Sequence, residues 1–368
     1  MKKVLKLILS VALLLAVAFV FTSCRDNDDA GTAGEADAGL RVALLTHSPE
    51  TVLDDASFNE GSWNGIANFL TAQGLPLAVG EHRQFFSPHA ADDAVRLDLI
   101  EQAIDWGADV LVLPGFQWEN AVAEAQNMFE DANFIIIDGA PDPINSNVVS
   151  VFFAENEAGF LAGYAAVRDG FTELGFMGGH AIPPVVRFGH GFLLGAEHAA
   201  NQMGLAPGSI TINYHYLATF APSPEVVTAA GAWFVAGTEV IFAAAGGAGG
   251  SVMAGAEANN GLVIGVDGDQ SGQSDTVITS AMKTLDSSVY DFLTEIANGT
   301  FQGGRSVVYD ASMGGVGLPI GTSRFSTFNQ AMYDSLFADI AAGNVNVSGS
   351  LDMSEILAEL TIVTVIEH

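Results

Sequence analysis

The chain has little lysine, cysteine or positive charge. Its 368 residues include one cysteine and only 12 lysines and arginines together, against 43 aspartates and glutamates. The single cysteine, Cys24, excludes a disulfide within the chain and leaves no thiolate metal site or thiol nucleophile in the body of the protein. The formal net charge of −31 argues against nucleic acid as a partner, because a polyanion repels phosphates.

Lysine is nearly absent beyond the N-terminus. Lys2, Lys3 and Lys6 lie in the first six residues, and the one later lysine is Lys283. Lysine is normally a common surface residue, so this isolated ammonium group is a candidate functional residue. The alternative is an ordinary ion pair with Asp286 in the helix that follows.

The common enzyme motifs are also missing. The eight histidines show no metal-ligand spacing such as H-E-x-x-H, and there is no G-x-S-x-G elbow. Gly246 and Gly247 precede Asp267 in a layout that imitates a dinucleotide site, but Val252 stands where the fingerprint needs its last glycine. We therefore expect no metal, no cofactor and no catalysis, and an enzyme is the least favoured alternative.

The N-terminus predicts a membrane anchor. The basic stretch MKKVLK precedes an apolar run at 7–21, which is shorter than the roughly 20 residues of a membrane span. Residues 1–23 therefore predict a signal peptide. Cys24 follows directly and resembles the lipidated cysteine of a bacterial lipoprotein, so we expect a lipid-anchored protein that faces the periplasm or the cell exterior. Residues 24–39 are small, polar and acidic and predict a disordered tether.

From residue 40 onward, short apolar runs alternate with amphipathic helical patterns. Strands are predicted at 41–46, 110–114, 134–138, 148–153, 174–179, 210–216, 239–245 and 262–267. Near-continuous apolar strands separated by helices indicate an α/β protein with parallel sheets covered on both faces. Because one sheet of eight or more strands is less economical, we predict two lobes, each a doubly wound parallel sheet flanked by helices.

In such folds the ligand binds at the carboxyl ends of the strands, so the residues there are the site candidates. Phe58 and Asn59 stand at a helix start after the first strand, where a ring can stack on a planar ligand and an amide can bond to its edge. The alternative is a hydrophobic staple with Asn59 near the helix cap. Asp138 ends the strand FIIID and is either a buried acceptor or the start of a turn before Pro141.

The second set of strands supplies three further candidates. Gly246 can bring bare backbone against a hydroxylated ligand. Asp267 and Lys283 form a pair suited to vicinal hydroxyls, since a carboxylate accepts and an ammonium donates. Charge-assisted bonds of this kind contribute about 1.5–3 kcal/mol each.

The order of seven segments resembles the basic-membrane-protein family, the lipoprotein substrate-binding proteins of ABC importers. The segments are DDASFNEGSWNGI, FIIIDG, ENEAGFLAGYAA, GFMGGHAIPPVVRFGHGFLLGA, AAAGGAGG, IGVDGDQ and ITSAMKTLD. The resemblance implies a two-lobed periplasmic-binding-protein type I fold that closes on a purine nucleoside. It also implies a monomer that delivers this ligand to ABC permease and ATPase subunits.

The resemblance gives each candidate a role. Phe58 and Phe220 would stack on the two faces of the base, and Asn59 and Asp138 would read its edge. One position departs from the family, because His47 stands where the family usually has an aspartate. The ribose would be held by the remaining three candidates, Gly246, Asp267 and Lys283.

A type I fold has three crossings between its lobes. We place them near 149–150, 283–285 and 312–314. The N-terminal lobe is then 40–149 plus 284–312, and the C-terminal lobe is 150–283 plus 313–368. Two alternatives keep this fold: a sugar or another small polar metabolite as the ligand, or a sensory protein that presents its ligand to a membrane receptor.

Overall fold

The computed structural model describes residues 39–46, 57–75, 83–86 and 91–368. The predicted signal peptide, Cys24, almost all of the tether and His47 lie outside the described residues. Leu40–His368 forms one compact unit.

The first sheet has six parallel strands in the order β2-β1-β3-β4-β5-β11. Its strands are β1 (Val42–Thr46), β2 (Arg83–Phe86), β3 (Val110–Pro114), β4 (Asn133–Ile137), β5 (Val148–Phe153) and β11 (Arg305–Tyr309). Both faces of this sheet are buried. Val42 and Leu44 belong to one apolar cluster, while Ala43 and Leu45 belong to another, as expected from the two-residue period of a strand.

The second sheet has seven strands in the order β12-β10-β9-β8-β6-β7-β13. All neighbours are parallel except β12, which runs antiparallel to β10. Its strands are β6 (Glu173–Gly178), β7 (Ile210–Tyr216), β8 (Val240–Ala244), β9 (Leu262–Asp267), β10 (Val277–Lys283), β12 (Val316–Gly317) and β13 (Val363–Glu367). The predicted α/β class with two parallel sheets is confirmed.

Helices cover both sheets. They are α1 (Phe58–Ala72), α2 (Asp93–Trp106), α3 (Glu119–Met128), α4 (Glu155–Asp169), α5 (Pro183–Met203), α6 (Pro224–Ala236), α7 (Ala248–Asn259), α8 (Leu285–Ala297), α9 (Gln330–Ala341) and α10 (Met353–Glu359). Local chemistry sets several ends: Asp92 and Ser223 accept backbone N–H bonds at the starts of α2 and α6. Left-handed glycines such as Gly107 and Gly170 follow the ends of α2 and α4.

The chain crosses between the lobes three times. β5 stays in the first sheet up to Phe153, paired with both β4 and β11, so the first crossing lies after Phe153 rather than at the predicted 149–150. The second crossing joins β10 to α8 and the third joins β11 to β12. Helix α8 returns to the first lobe, because a Cβ at Gly65 of α1 would clash with Val289 of α8.

Helices α4 and α5 approach each other closely at glycines. A Cβ on Gly159 would clash with the carbonyl oxygen of Phe188, and one on Gly191 would clash with that of Asn156. Only glycine allows backbones to meet at this separation. This contact places the start of α4, which follows the first crossing, directly beside the first turns of α5.

Candidate functional site

The ammonium group of Lys283 lies at the centre of a buried cluster of charges. Lys283 is the last residue of β10, and 4% of its surface is exposed. Its Nζ lies 2.6 Å from Asp138 Oδ2, 3.0 Å from Glu155 Oε1 and 4.0 Å from Asp267 Oδ1. Asp286, the alternative partner, is not among the described carboxylates within 4.0 Å. Lys283 therefore joins acids of both lobes.

Three phenyl rings surround the same ammonium. Their centroids lie 5.3 Å from Nζ for Phe58, 5.4 Å for Phe153 and 5.4 Å for Phe188. Rings within about 6 Å of a cation attract it through their negative faces. Phe58 starts α1, Phe153 ends β5 and Phe188 lies in α5, so the rings also come from both lobes.

Burial and mutual charge change the proton affinities of these groups. Burial raises the pKa of Asp138 to about 6, although the nearby Lys283 charge opposes the rise. Burial also raises the pKa of Asp267, again against the attraction of Lys283. Burial alone lowers the pKa of Lys283, but the charges of Asp138, Glu155 and Asp267 outweigh it and hold that pKa above its ordinary value. The lysine therefore stays charged at neutral pH.

Asp138 and Asp267 occupy equivalent positions in the two sheets. Asp138 directly follows β4, the fourth strand of the first lobe, and Asp267 ends β9, the fourth strand of the second. Both have left-handed backbones, with φ of 56° and 65°, a conformation that aspartate tolerates better than most residues. Strain of this kind clusters at functional sites. Here it occurs at Asp138 and Asp267, the two acids beside Lys283 that the sequence predicts as site residues.

Ser57 and Asn59 connect the start of α1 to this cluster. Ser57 Oγ donates to Asp267 Oδ2 at 3.1 Å, a direct hydrogen bond between the lobes. Ser57, and not Asn59, holds the position before the helix, and neither serves as a side-chain cap there. Asn59 is 4% exposed, and its Oδ1 has no hydrogen-bond partner among the described residues. Asp138 Oδ1 is likewise buried without a partner in that part of the chain.

Phe220 and Gly246 lie together at the carboxyl edge of the second sheet. The Phe220 ring meets His180 edge-on, with centroids 5.0 Å apart. A Cβ on Gly179 would clash with the ring, and one on Gly246 would lie 3.5 Å from it. Gly246 has φ of 53°, which suits glycine. Among the described residues, the Phe220 ring lies beside His180, Gly179 and Gly246 rather than beside the side chains around Lys283.

Sequence reasoning missed four contributors to the cluster: Ser57, Phe153, Glu155 and Phe188. Two of them could have been predicted from the sequence. Phe153 and Glu155 stand at the carboxyl end of a predicted strand, where ligands bind in such folds. Phe188 was hidden in a helical pattern, since its approach to Lys283 depends on the α4–α5 contact. His180 is exposed just after the end of β6, beside Phe220.

Comparison with known proteins identifies the family. Residues 41–343 match the Bmp family, described as ABC transporter substrate-binding protein PnrA-like. The chain belongs to this family. A protein of Lactococcus lactis named "ABC transporter nucleoside-binding protein BmpA" is 30% identical over 326 residues, which is 83% of this chain and 89% of the relative. The Bmp chain is therefore an ABC transporter substrate-binding protein, as its sequence motifs predicted.

Two further likenesses concern the anchor and the fold. An uncharacterized lipoprotein of Pyrococcus abyssi is 27% identical over 277 residues, covering 72% of this chain and 65% of the relative. A solute-binding protein of an Aeropyrum pernix ABC transporter system superposes with a TM-score of 0.71 at 21% identity, covering 87% of this chain and 96% of that one. This supports the two-lobed type I fold. Within the described residues, no helix is both long and apolar enough to cross a bilayer.

Proposed function

We propose that this Bmp protein binds a nucleoside, with a purine base, between its lobes and delivers it to the permease of an ABC importer. The observation that carries the proposal is the buried Lys283 ammonium, shared by Asp138 of the first lobe and Asp267 of the second. The name of the lactococcal relative supports the ligand class.

The spacing of Lys283 and Asp267 suits a sugar hydroxyl. Their nearest charged atoms are 4.0 Å apart, too far for a hydrogen bond to each other. A hydroxyl oxygen at about 2.8 Å from both can accept from the ammonium and donate to the carboxylate at once. We assign the ribose to this pair together with Gly246.

The unpartnered acceptors suit the edge of a base. Asn59 Oδ1 and Asp138 Oδ1 are buried without hydrogen-bond partners among the described residues, and a buried acceptor without a donor costs about 1–3 kcal/mol. The N–H groups on the edge of a purine would satisfy both. We assign the two faces of the base to Phe58 and Phe220, since stacking on an aromatic ring contributes roughly 1–3 kcal/mol per base.

The anchor and the partners complete the proposal. Cys24 would carry lipid after removal of residues 1–23, and the tether would hold the monomeric binding protein near its permease and ATPase. Mass spectrometry of the N-terminal peptide from membranes tests this. A lipid adduct on Cys24 is expected, and a soluble protein cleaved elsewhere would contradict the anchor.

Calorimetric titration with adenosine, guanosine, inosine, the free bases, ribose and galactose tests the ligand class. We expect heat with purine nucleosides and a much weaker response to bases or sugars alone. Phe220→Ala, compared with wild type, separates the sugar alternative: loss of a stacking ring should weaken a nucleoside about tenfold or more. Binding of sugars only, unaffected by this substitution, would contradict the nucleoside assignment.

A further inference from the structure

Glu155 is a buried carboxylate at Lys283 that the nucleoside assignment leaves without a role. It is the first residue of α4, directly after the first crossing, and none of its surface is exposed. Its Oε2 accepts a hydrogen bond from Arg187 Nε at 2.6 Å. Its Oε1 lies 3.0 Å from Lys283 Nζ. One carboxylate therefore holds two cations from different elements.

We propose that Glu155 is a positioning residue of the binding site: anchored by Arg187, it fixes the ammonium of Lys283 where a ligand hydroxyl can reach it. This inference rests on the proposed function for its role in binding. The placement of Lys283 by Glu155 can be tested without any ligand.

The geometry at Nζ favours positioning by charge. An ammonium has three N–H donors, and Asp138 Oδ2 takes one of them at 2.6 Å. Glu155 Oε1 is close, yet it accepts no hydrogen bond from the described residues, so it attracts the ammonium without using a donor. Asp267 at 4.0 Å is beyond hydrogen-bond distance. At least one N–H group thus remains for a ligand.

Arg187 explains why Glu155 stays in place. A buried carboxylate without a partner is costly, whereas one that is paired and hydrogen-bonded persists. The Arg187 side chain is 21% exposed and the Lys283 side chain 2%. Three carboxylates act directly on the Lys283 ammonium, those of Asp138, Glu155 and Asp267. The guanidinium of Arg187 acts on it through Glu155.

The same helix turn offers a matched control. Glu157 lies two residues after Glu155, also in the first turn of α4, and its Oε2 accepts from the backbone N–H of Ala311 at 2.7 Å. It has no ion pair with Lys283 within 4.0 Å in the described part of the chain. Glu157→Gln changes a carboxylate at the third crossing and leaves the ammonium cluster untouched.

The scarcity of lysine makes a direct measurement possible. In a full-length chain with Lys2, Lys3 and Lys6 replaced by arginine, isotope-labelled lysine gives a single side-chain NMR signal, that of Lys283. We expect the ammonium to stay protonated at pH 11 in this background and in Glu157→Gln. In Glu155→Gln the signal should shift and begin to titrate at lower pH. A signal and titration equal to those of the parent would overturn the proposal.

Affinity measurements test the consequence for binding. With the tightest-binding of adenosine, guanosine and inosine, Glu155→Gln should weaken affinity at least about tenfold, and Glu157→Gln less than about twofold. The loss should vanish when Glu155→Gln is added to Lys283→Met, because the effect passes through the lysine. An equal loss in both backgrounds would overturn the proposal.

Two further arms keep the outcomes separate. Should Glu155→Gln fail to fold, Arg187→Gln replaces the partly exposed partner of Glu155 instead. It is expected to weaken nucleoside binding several-fold, and unchanged affinity in this variant counts against the proposal. Should wild type bind none of the three nucleosides, the proposed function fails. The Lys283 resonance in Glu155→Gln then still decides whether Glu155 positions the lysine.

Discussion

Replacing Lys283 by methionine should destabilise the whole fold as well as the site. The substitution keeps most of the side-chain volume but removes the ammonium shared by three buried carboxylates, Asp138, Glu155 and Asp267. Removing one partner of a buried ion pair costs about 3–5 kcal/mol, because the remaining charge is left uncompensated. We expect a loss of this size in the free energy of unfolding at pH 8, measured by urea denaturation.

An exposed ion pair supplies the control. Arg305 Nη2 lies 3.0 Å from Glu295 Oε2, with side chains 40% and 34% exposed. Pairs of this kind contribute less than about 1 kcal/mol, because water and salt screen them. Arg305→Met should therefore change the free energy of unfolding much less than Lys283→Met.

The loss has a definite pH dependence. Burial raises the pKa of Asp138 from 3.8 to about 6, so the folded protein binds this proton more tightly than the unfolded chain. The contribution of Asp138 to the free energy of unfolding therefore falls as pH rises from about 4 to about 6. The Lys283 charge lowers the pKa of Asp138, so without it this range extends to higher pH. The loss of unfolding free energy caused by Lys283→Met should therefore be smaller at pH 5 than at pH 8. Equal penalties, or one no larger than in Arg305→Met, would refute the reasoning.

Three other perturbations follow from the same geometry. Asp267→Ala should weaken nucleoside binding at least about tenfold, or 1.4 kcal/mol, by calorimetry; unchanged affinity in a folded variant would contradict the ribose assignment. Lowering pH from 7 to 5 should weaken binding as Asp138 is protonated, and Asp138→Asn should flatten that profile; a profile unchanged in this variant would contradict the role of Asp138. Ser57→Ala removes the 3.1 Å hydrogen bond to Asp267, so nucleoside affinity should fall by the equivalent of about 1 kcal/mol. Unchanged affinity would show that this bond does not contribute to ligand binding.

Several strands with near-continuous apolar runs were predicted with the bounds that the structure shows. Runs predicted at 110–114, 148–153 and 262–267 coincide with β3, β5 and β9, because helices bury both faces of these strands. β10 was missed because its run contains Thr279 and Ser280. Both are fully buried, and their hydroxyls bond to Ser323 and to the backbone of Gln270. Polar letters in a sequence do not reveal such internal partners.

Two features of the sequence predicted site residues: the scarcity of lysine, and acidic residues at the ends of predicted strands. Lys283 was conspicuous as an isolated lysine, and Asp138 and Asp267 ended strands. Glu155 resembled an ordinary acid in the first turn of a helix, where negative charge is common. Its partners Arg187 and Lys283 are remote in sequence, so only the packing of α4 on α5 and the crossing after β5 reveal what it binds.

The position of Lys283 bears on how the lobes could open and close. Its ammonium contacts Asp138 on one side of the crossing and Asp267 on the other, so separating the lobes would exchange these contacts for water. Desolvation of charges largely offsets their attraction in a buried pair, and the cluster therefore adds little net free energy to closure. A ligand that binds both lobes would supply the free-energy difference that favours the closed over the open state. Under the proposed function, the cluster lies where the lobes meet, and a bound ligand stabilises the closed arrangement.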